Sequence, residues 1–350
     1  MTAQRPSMFV TTTATGAALV VALLAASGTA SATEKPARGY TDVMPLEAKS
    51  KDACEAVPNR VFAQTPLGSD CVAYFVTSGH EKKRNAVIFF DGDMSLEKFS
   101  DPALMAANLA SMQKGMQAWA DKLKVRYVFV SRLGVNGSSG NHGERRQPKE
   151  LMIMNTATSL IKQRLGLDTI ALAGQSGGST IAASMLSLGR NDVLCAVLGS
   201  GAFELVELRY AEMKAAGAKV SKAKLLETMF DPASHVDGIR INPARRILIL
   251  GDEADTRTPF AQQERYAQSI QSYGHHAKLI RVDASGEISH GATAYTLPTA
   301  AGCMMGTPDE RLVEANDKMG QRRAAAELAN AAPVTSGATA LMRSALSSGK

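Results

Sequence analysis

Thr169-Ile170-Ala171-Leu172-Ala173-Gly174-Gln175-Ser176-Gly177-Gly178-Ser179 is the stretch on which the reading of this chain turns. An apolar run of strand length stops abruptly at a serine set among glycines, and a helical pattern from about Gly178 to Gly189 starts directly afterwards. This is a G-x-S-x-G pattern in a strand-turn-helix setting. The turn is so tight that side chains at positions 174 and 178 would collide with neighbouring backbone, so both are glycine. Ser176 is then expected in a strained conformation, its hydroxyl lifted above the sheet edge. The following helix N-terminus directs the N–H of Gly177 towards developing negative charge. A glycine-rich phosphate loop or an ordinary turn is the alternative reading of the same residues.

Outward from this point, short apolar runs alternate with longer segments of helical period, the pattern of a parallel sheet with crossover helices. Upstream, Val61–Thr77 reads as a hairpin broken at Pro66-Leu67-Gly68, Ala86–Phe90 and Val125–Ser131 as strands, and Pro102–Leu123 and Glu150–Leu165 as helices. Leu133–Lys149 reads as a loop rich in Gly, Ser and Arg. Downstream, strands are expected at Leu194–Leu198, Ile247–Leu250 and Lys278–Val282, with helices at Pro259–Tyr273 and about Pro308–Ala329. The polar helical segment Phe203–Gly238 reads as an inserted cap. With no repeat and no linker, residues 33–330 are expected to form one α/β domain, followed by an Ala-, Ser- and Gly-rich tail over 331–350.

The 350 residues are 45% hydrophobic and 21% charged, a composition that excludes disorder and fibre. The 39 Lys and Arg against 33 Asp and Glu are scattered, which argues against a nucleic-acid partner. Residues 1–32 read as a signal peptide: Arg5 precedes the apolar stretch Gly16–Ala26, and Ala30-Ser31-Ala32 offers a small-x-small cleavage pattern. That stretch is too short for a bilayer, which needs about 20 residues. The expectation is an exported protein, periplasmic or secreted, with no stable membrane insertion after cleavage. Export allows disulfides, and Cys54 and Cys71, flanking the hairpin, are the expected pair. Cys195 sits in an apolar run and reads as a small buried hydrophobe; Cys303 lies in a Gly-rich segment, and a bond between these two is left open. No C-x-x-C pair exists, so no structural zinc and no cofactor are expected.

A serine hydroxyl needs a base, and the base an orienting acid. Ile247–Leu250 ends in Gly251-Asp252-Glu253-Ala254-Asp255-Thr256-Arg257-Thr258-Pro259, where Asp255 is the chosen acid and Asp252 and Glu253 compete. His290-Gly291, in the loop after the last strand, supplies the base. Gly174-Gln175-Ser176-Gly177-Gly178, Ala254-Asp255-Thr256-Arg257-Thr258-Pro259-Phe260 and Ser289-His290-Gly291 together resemble the triad motifs of the α/β-hydrolase superfamily. The segment from Asp231-Pro232 to His290 is similar to the end of prolyl-oligopeptidase-type catalytic domains and their esterase relatives.

The resemblance implies an eight-stranded, mostly parallel sheet flanked by helices, with Ser176, Asp255 and His290 as nucleophile, acid and base. It further implies a carboxylic ester as substrate, or a short peptide as the alternative. By position, the second oxyanion donor beside Gly177 is the backbone N–H of Asp93. Its acidic side chain opposes the charge developing on the substrate unless it points away. Phe90 stands roughly where peptidase relatives carry an assisting tyrosine, and it has no hydroxyl. Gln175, Arg145 and Arg146 are candidate substrate contacts, the arginines for an anionic group; arginines paired with surface acids are the plain alternative. A rival resemblance joins Ala86–Ser95 to the first motif of haloacid-dehalogenase-type phosphatases, with Asp91 as nucleophile, Asp93 as acid and Mg²⁺ at the strand ends.

Overall fold

The computed structural model describes residues 50–95 and 100–331. The expected signal peptide and C-terminal tail lie outside the described residues. Eight strands form one sheet: β1 (Arg60–Thr65), β2 (Gly68–Val76), β3 (Asn85–Phe90), β4 (Arg126–Val130), β5 (Thr169–Gln175), β6 (Val193–Gly199), β7 (Arg246–Gly251) and β8 (Ala277–Arg281). Their spatial order is β1-β2-β4-β3-β5-β6-β7-β8. The hairpin β1–β2 and the β2–β4 pair are antiparallel, and all later pairs are parallel.

The central strands read as unbroken apolar runs because both of their faces are covered. Ile88 and Phe90 enter one hydrophobic cluster, with Leu172, Ile181 and Ile249. Val87 and Phe89 enter the other, with Ala171, Leu248 and Tyr295. Phe90 is fully buried in this way, so its ring belongs to the core. Nine helices are described: α1 (Lys51–Glu55), α2 (Pro102–Leu123), α3 (Pro148–Arg164), α4 (Gly177–Ser187), α5 (Leu205–Ala215), α6 (Lys222–Thr228), α7 (Phe260–Ser272), α8 (Thr293–Met304) and α9 (Asp309–Ala331). Local chemistry sets the ends of α2. Asp101 accepts the N–H groups of Ala103 and Leu104, Pro102 opens the first turn, and Lys124 closes the helix in the left-handed region.

Two points left open by the sequence are decided by the structure. The Gly-rich segment around Cys303 is helix α8, in which Tyr295, Leu297, Ala300, Ala301 and Cys303 are all buried. A helix enclosed on every side has no amphipathic period to betray it. Cys195 is buried as expected, and the bond left open is formed: it makes a disulfide with Cys303 that ties β6 to α8, alongside the expected Cys54–Cys71 bond. The Phe203–Gly238 segment contains α5, α6 and the 3-10 turn Pro232–Gly238, and the Phe230 N–H donates to the Arg146 carbonyl at 3.2 Å.

Strand order dictates where a site can form. After β3 the chain adds β4 on one side and then crosses to add β5 on the other, so the carboxyl ends of β3 and β5 open away from each other. A crevice at such a switch point is the usual ligand position of open α/β sheets. The register sets Phe90 opposite Gly174, which brings the loop starting at Asp91 against the turn containing Ser176.

Candidate active site

Ser176 occupies the turn between β5 and α4 with φ of 52° and ψ of −118°. This strained conformation for a residue with a Cβ persists because the surroundings allow nothing else. A Cβ at Gly178 would lie 2.0 Å from the Phe90 carbonyl oxygen, and one at Gly174 would lie 2.4 Å from the backbone at Gly178 and Ser179. Gly178→Ala therefore forces backbone apart and is expected to cost about 1–3 kcal/mol. Urea denaturation of the variant checks this, and an unchanged midpoint contradicts it.

The structure brings the three distant side chains together. His290 Nε2 lies 2.8 Å from Ser176 Oγ, and His290 Nδ1 lies 2.8 Å from Asp255 Oδ2. With the Nδ1 proton donated to the carboxylate, Nε2 is left to accept from the serine hydroxyl. Asp255 is held by its own loop: Oδ1 accepts the N–H groups of Arg257 and Thr258, and the Thr258 hydroxyl donates to Oδ2 at 2.8 Å. Burial pushes the Asp255 carboxyl up, but the bonds from His290 and Thr258 outweigh it and leave the group below the usual carboxylate range. Asp252 is occupied elsewhere, accepting from the N–H groups of Ala254 and Ala284.

Both ends of the Gln175 side-chain amide are engaged within the fold. Its Nε2 donates to the His290 carbonyl at 2.7 Å and its Oε1 accepts from Ala292 N–H at 2.9 Å. The residue before the serine thus grips the loop that carries the histidine from both sides.

The Asp93 carboxylate is enclosed by cations. Arg132 Nη1 donates to its Oδ1, and Arg145 Nε, at 3.1 Å, and Arg146 Nη2 donate to its Oδ2. Arg132 in turn makes a two-point bond to Glu150, with Nε and Nη2 each 3.0 Å from a carboxylate oxygen. Burial alone would raise the Asp93 pKa; the Arg132 and Arg146 charges overcome it and hold the carboxyl well below its usual range. Neither the Asp93 N–H nor the Gly177 N–H donates a hydrogen bond among the described residues. The same cluster disfavours Mg²⁺ at this strand end, because a carboxylate shared by three guanidinium groups has little charge left for a cation.

Sequence reading did not single out His142, which lies in the segment read as a loop over Leu133–Lys149. The ring is buried; Nε2 accepts the Met94 N–H at 3.2 Å and Nδ1 lies 3.1 Å from the Leu133 carbonyl. Burial, assisted by the Arg132 charge, pushes its pKa down to about 4, so the ring is neutral and suited to accept that N–H. Arg132, buried at the end of β4, was also missed, since a single Arg after an apolar strand carries no local signal of its partners.

No protein-family model and no curated protein sequence matches this chain. Solved structures do. Est1E from Butyrivibrio proteoclasticus superposes with a TM-score of 0.50 at 12% identity, covering 71% of this chain and 98% of that one. The Pyrococcus furiosus esterase Pf2001 gives 0.50 at 14% identity, covering 76% and 98%. The chain has the α/β-hydrolase fold. The Pyrococcus horikoshii acylaminoacyl peptidase is also similar, at a TM-score of 0.45 and 12% identity over 71% of this chain and 39% of that one. Within the α/β-hydrolase fold described here, Ser176, Asp255 and His290 follow β5, β7 and β8 at their carboxyl ends.

Proposed function

We propose that this chain is an exported serine hydrolase that cleaves carboxylic esters. The observation that carries the reading is the continuous relay from Ser176 Oγ through His290 to the buried Asp255 carboxylate. Ser176 Oγ attacks the acyl carbon while His290 Nε2 takes its proton, and Asp255 holds the imidazole in the tautomer that makes this transfer available. The Gly177 and Asp93 N–H groups stabilise the oxyanion, and each such donor is worth about 3–4 kcal/mol of barrier. Collapse breaks the bond to the alcohol oxygen, which receives the proton from His290. Water, deprotonated by the same imidazole, then attacks the acyl-enzyme; the acid departs and Ser176 regains its proton.

Three guanidinium groups around Asp93 support its part in the oxyanion hole, because they offset the one charge that would oppose the reaction there. Two disulfides support export, since such bonds persist in oxidising compartments. Among the described residues no helix is long and apolar enough to cross a membrane.

The test is labelling with a fluorophosphonate. Wild type is expected to label, Ser176→Ala to remain unlabelled, and a chelator to change nothing. Labelling that persists in the variant removes Ser176 as nucleophile, and chelator-sensitive phosphatase activity restores the phosphatase reading. Faster hydrolysis of aminoacyl anilides than of short aryl esters makes the enzyme a peptidase.

A further inference from the structure

The arginine cluster beside the elbow holds more positive charge than its own carboxylates balance. Among the described residues, Arg132, Arg145 and Arg146 form ion pairs only with Asp93 and Glu150. Arg132 is saturated: its side chain is 2% exposed and all three of its nitrogens are bonded. Arg145 and Arg146 instead share the single oxygen Oδ2 of Asp93. Their side chains remain 37% and 25% exposed. Arg146 Nε is buried without a hydrogen-bond partner, and the residue itself holds φ of 67°, in the left-handed region. A left-handed backbone and an unsatisfied guanidinium nitrogen both cost free energy.

The pair lies close to the nucleophile. A Cβ at Gly177 would come within 2.1 Å of Asp93 Oδ1, so the carboxylate that both arginines hold abuts the residue following Ser176. Arg146 is anchored on either side, its N–H donating to Glu150 Oε2 at 2.6 Å and its carbonyl accepting from Phe230. Arg145 Nη1 is steadied by the His142 carbonyl at 3.3 Å.

We infer that Arg145 and Arg146 form a subsite for a carboxylate carried by the substrate, so that the preferred esters are half-esters of dicarboxylic acids or esters with an acidic side group. Guanidinium forks match a planar carboxylate through paired N–H bonds. Among the described residues the cluster carries one positive charge in excess, which a single added carboxylate neutralises. This inference rests on the serine-hydrolase reading.

Two substrates of equal reach separate the cases: the mono-p-nitrophenyl ester of succinate and its neutral methyl diester. Wild type is expected to favour the anionic ester by about tenfold in kcat/KM, the scale of one charge-assisted contact. Added salt is expected to reduce that preference. Arg145→Gln, at the more exposed of the two positions, is expected to bring the ratio of the two esters close to one. Free succinate is expected to slow fluorophosphonate labelling of wild type more than succinamide does, a readout that needs no ester turnover. A wild-type enzyme that labels but shows no carboxylate preference in either assay overturns the subsite, as does a preference that survives Arg145→Gln. Absence of labelling overturns the hydrolase reading, and the subsite with it.

Discussion

Ser176→Ala is expected to lower kcat for aryl esters by about 10⁶-fold, and Asp255→Asn by about 10⁴-fold. The two numbers differ because the residues fail differently. Without Oγ there is no atom to carry the acyl group, and only binding and the oxyanion donors remain. With asparagine at 255, His290 is still held, but the new amide presents a donor to Nδ1. The imidazole then places its proton on Nε2, which lies 2.8 Å from Ser176 Oγ and must accept rather than donate. Both variants are expected to keep a folded chain, since neither deletion opens a large cavity. Initial rates with a chromogenic ester, paired with circular dichroism, check this. Near wild-type turnover by the asparagine variant would mean that another carboxylate orients the imidazole.

Arg132→Leu is expected to destabilise the chain by about 3–5 kcal/mol, because removing one partner of a buried ion pair strands the others. Asp93 would lose the cation on Oδ1, and Glu150 both of its side-chain guanidinium contacts. The acid limb of stability carries the second signature. The native Asp93 carboxyl is held below the unfolded value of about 3.9. A depressed carboxyl contributes stability that is present above the unfolded pKa and is lost as pH falls through the native one. Wild type should therefore lose this contribution only below about pH 4, and the leucine variant should lose less there, having less to lose. Urea titrations at neutral and acid pH measure both effects. A neutral-pH midpoint equal to wild type would show that the cluster adapts without Arg132. Replacing Arg132, Asp93 and Glu150 together by apolar residues should recover part of the loss, since the penalty arises from stranded charge.

The strands β3, β5, β6 and β7 were legible because burial on both faces leaves an uninterrupted apolar run that no surface helix shows. Helix α2 was legible to its ends, since Asp101 and Pro102 carry their own start signal. The elbow at Ser176 was legible for a related reason: a Cβ at Gly174 would strike the backbone of Gly178 and Ser179, so that requirement for glycine is written within a few residues, whereas the one at Gly178 comes from the distant Phe90 carbonyl. Helix α8 was not, because enclosure on all sides removed its period and placed Pro298 and Gly302 within it.

By itself the sequence determined the alternation of strand and helix, the strained turn, and which serine, histidine and carboxylate have the order to act together. These depend on short-range sterics and on a burial pattern that repeats along the chain. Only the tertiary structure decided what happens to charge. The turning of Gln175 onto the histidine loop, the neutral ring of His142 under the β3 loop, and the enclosure of Asp93 by three arginines depend on distances between segments far apart in sequence. Coulomb energy follows spatial separation and local dielectric, and neither quantity is encoded in the order of residues along the chain.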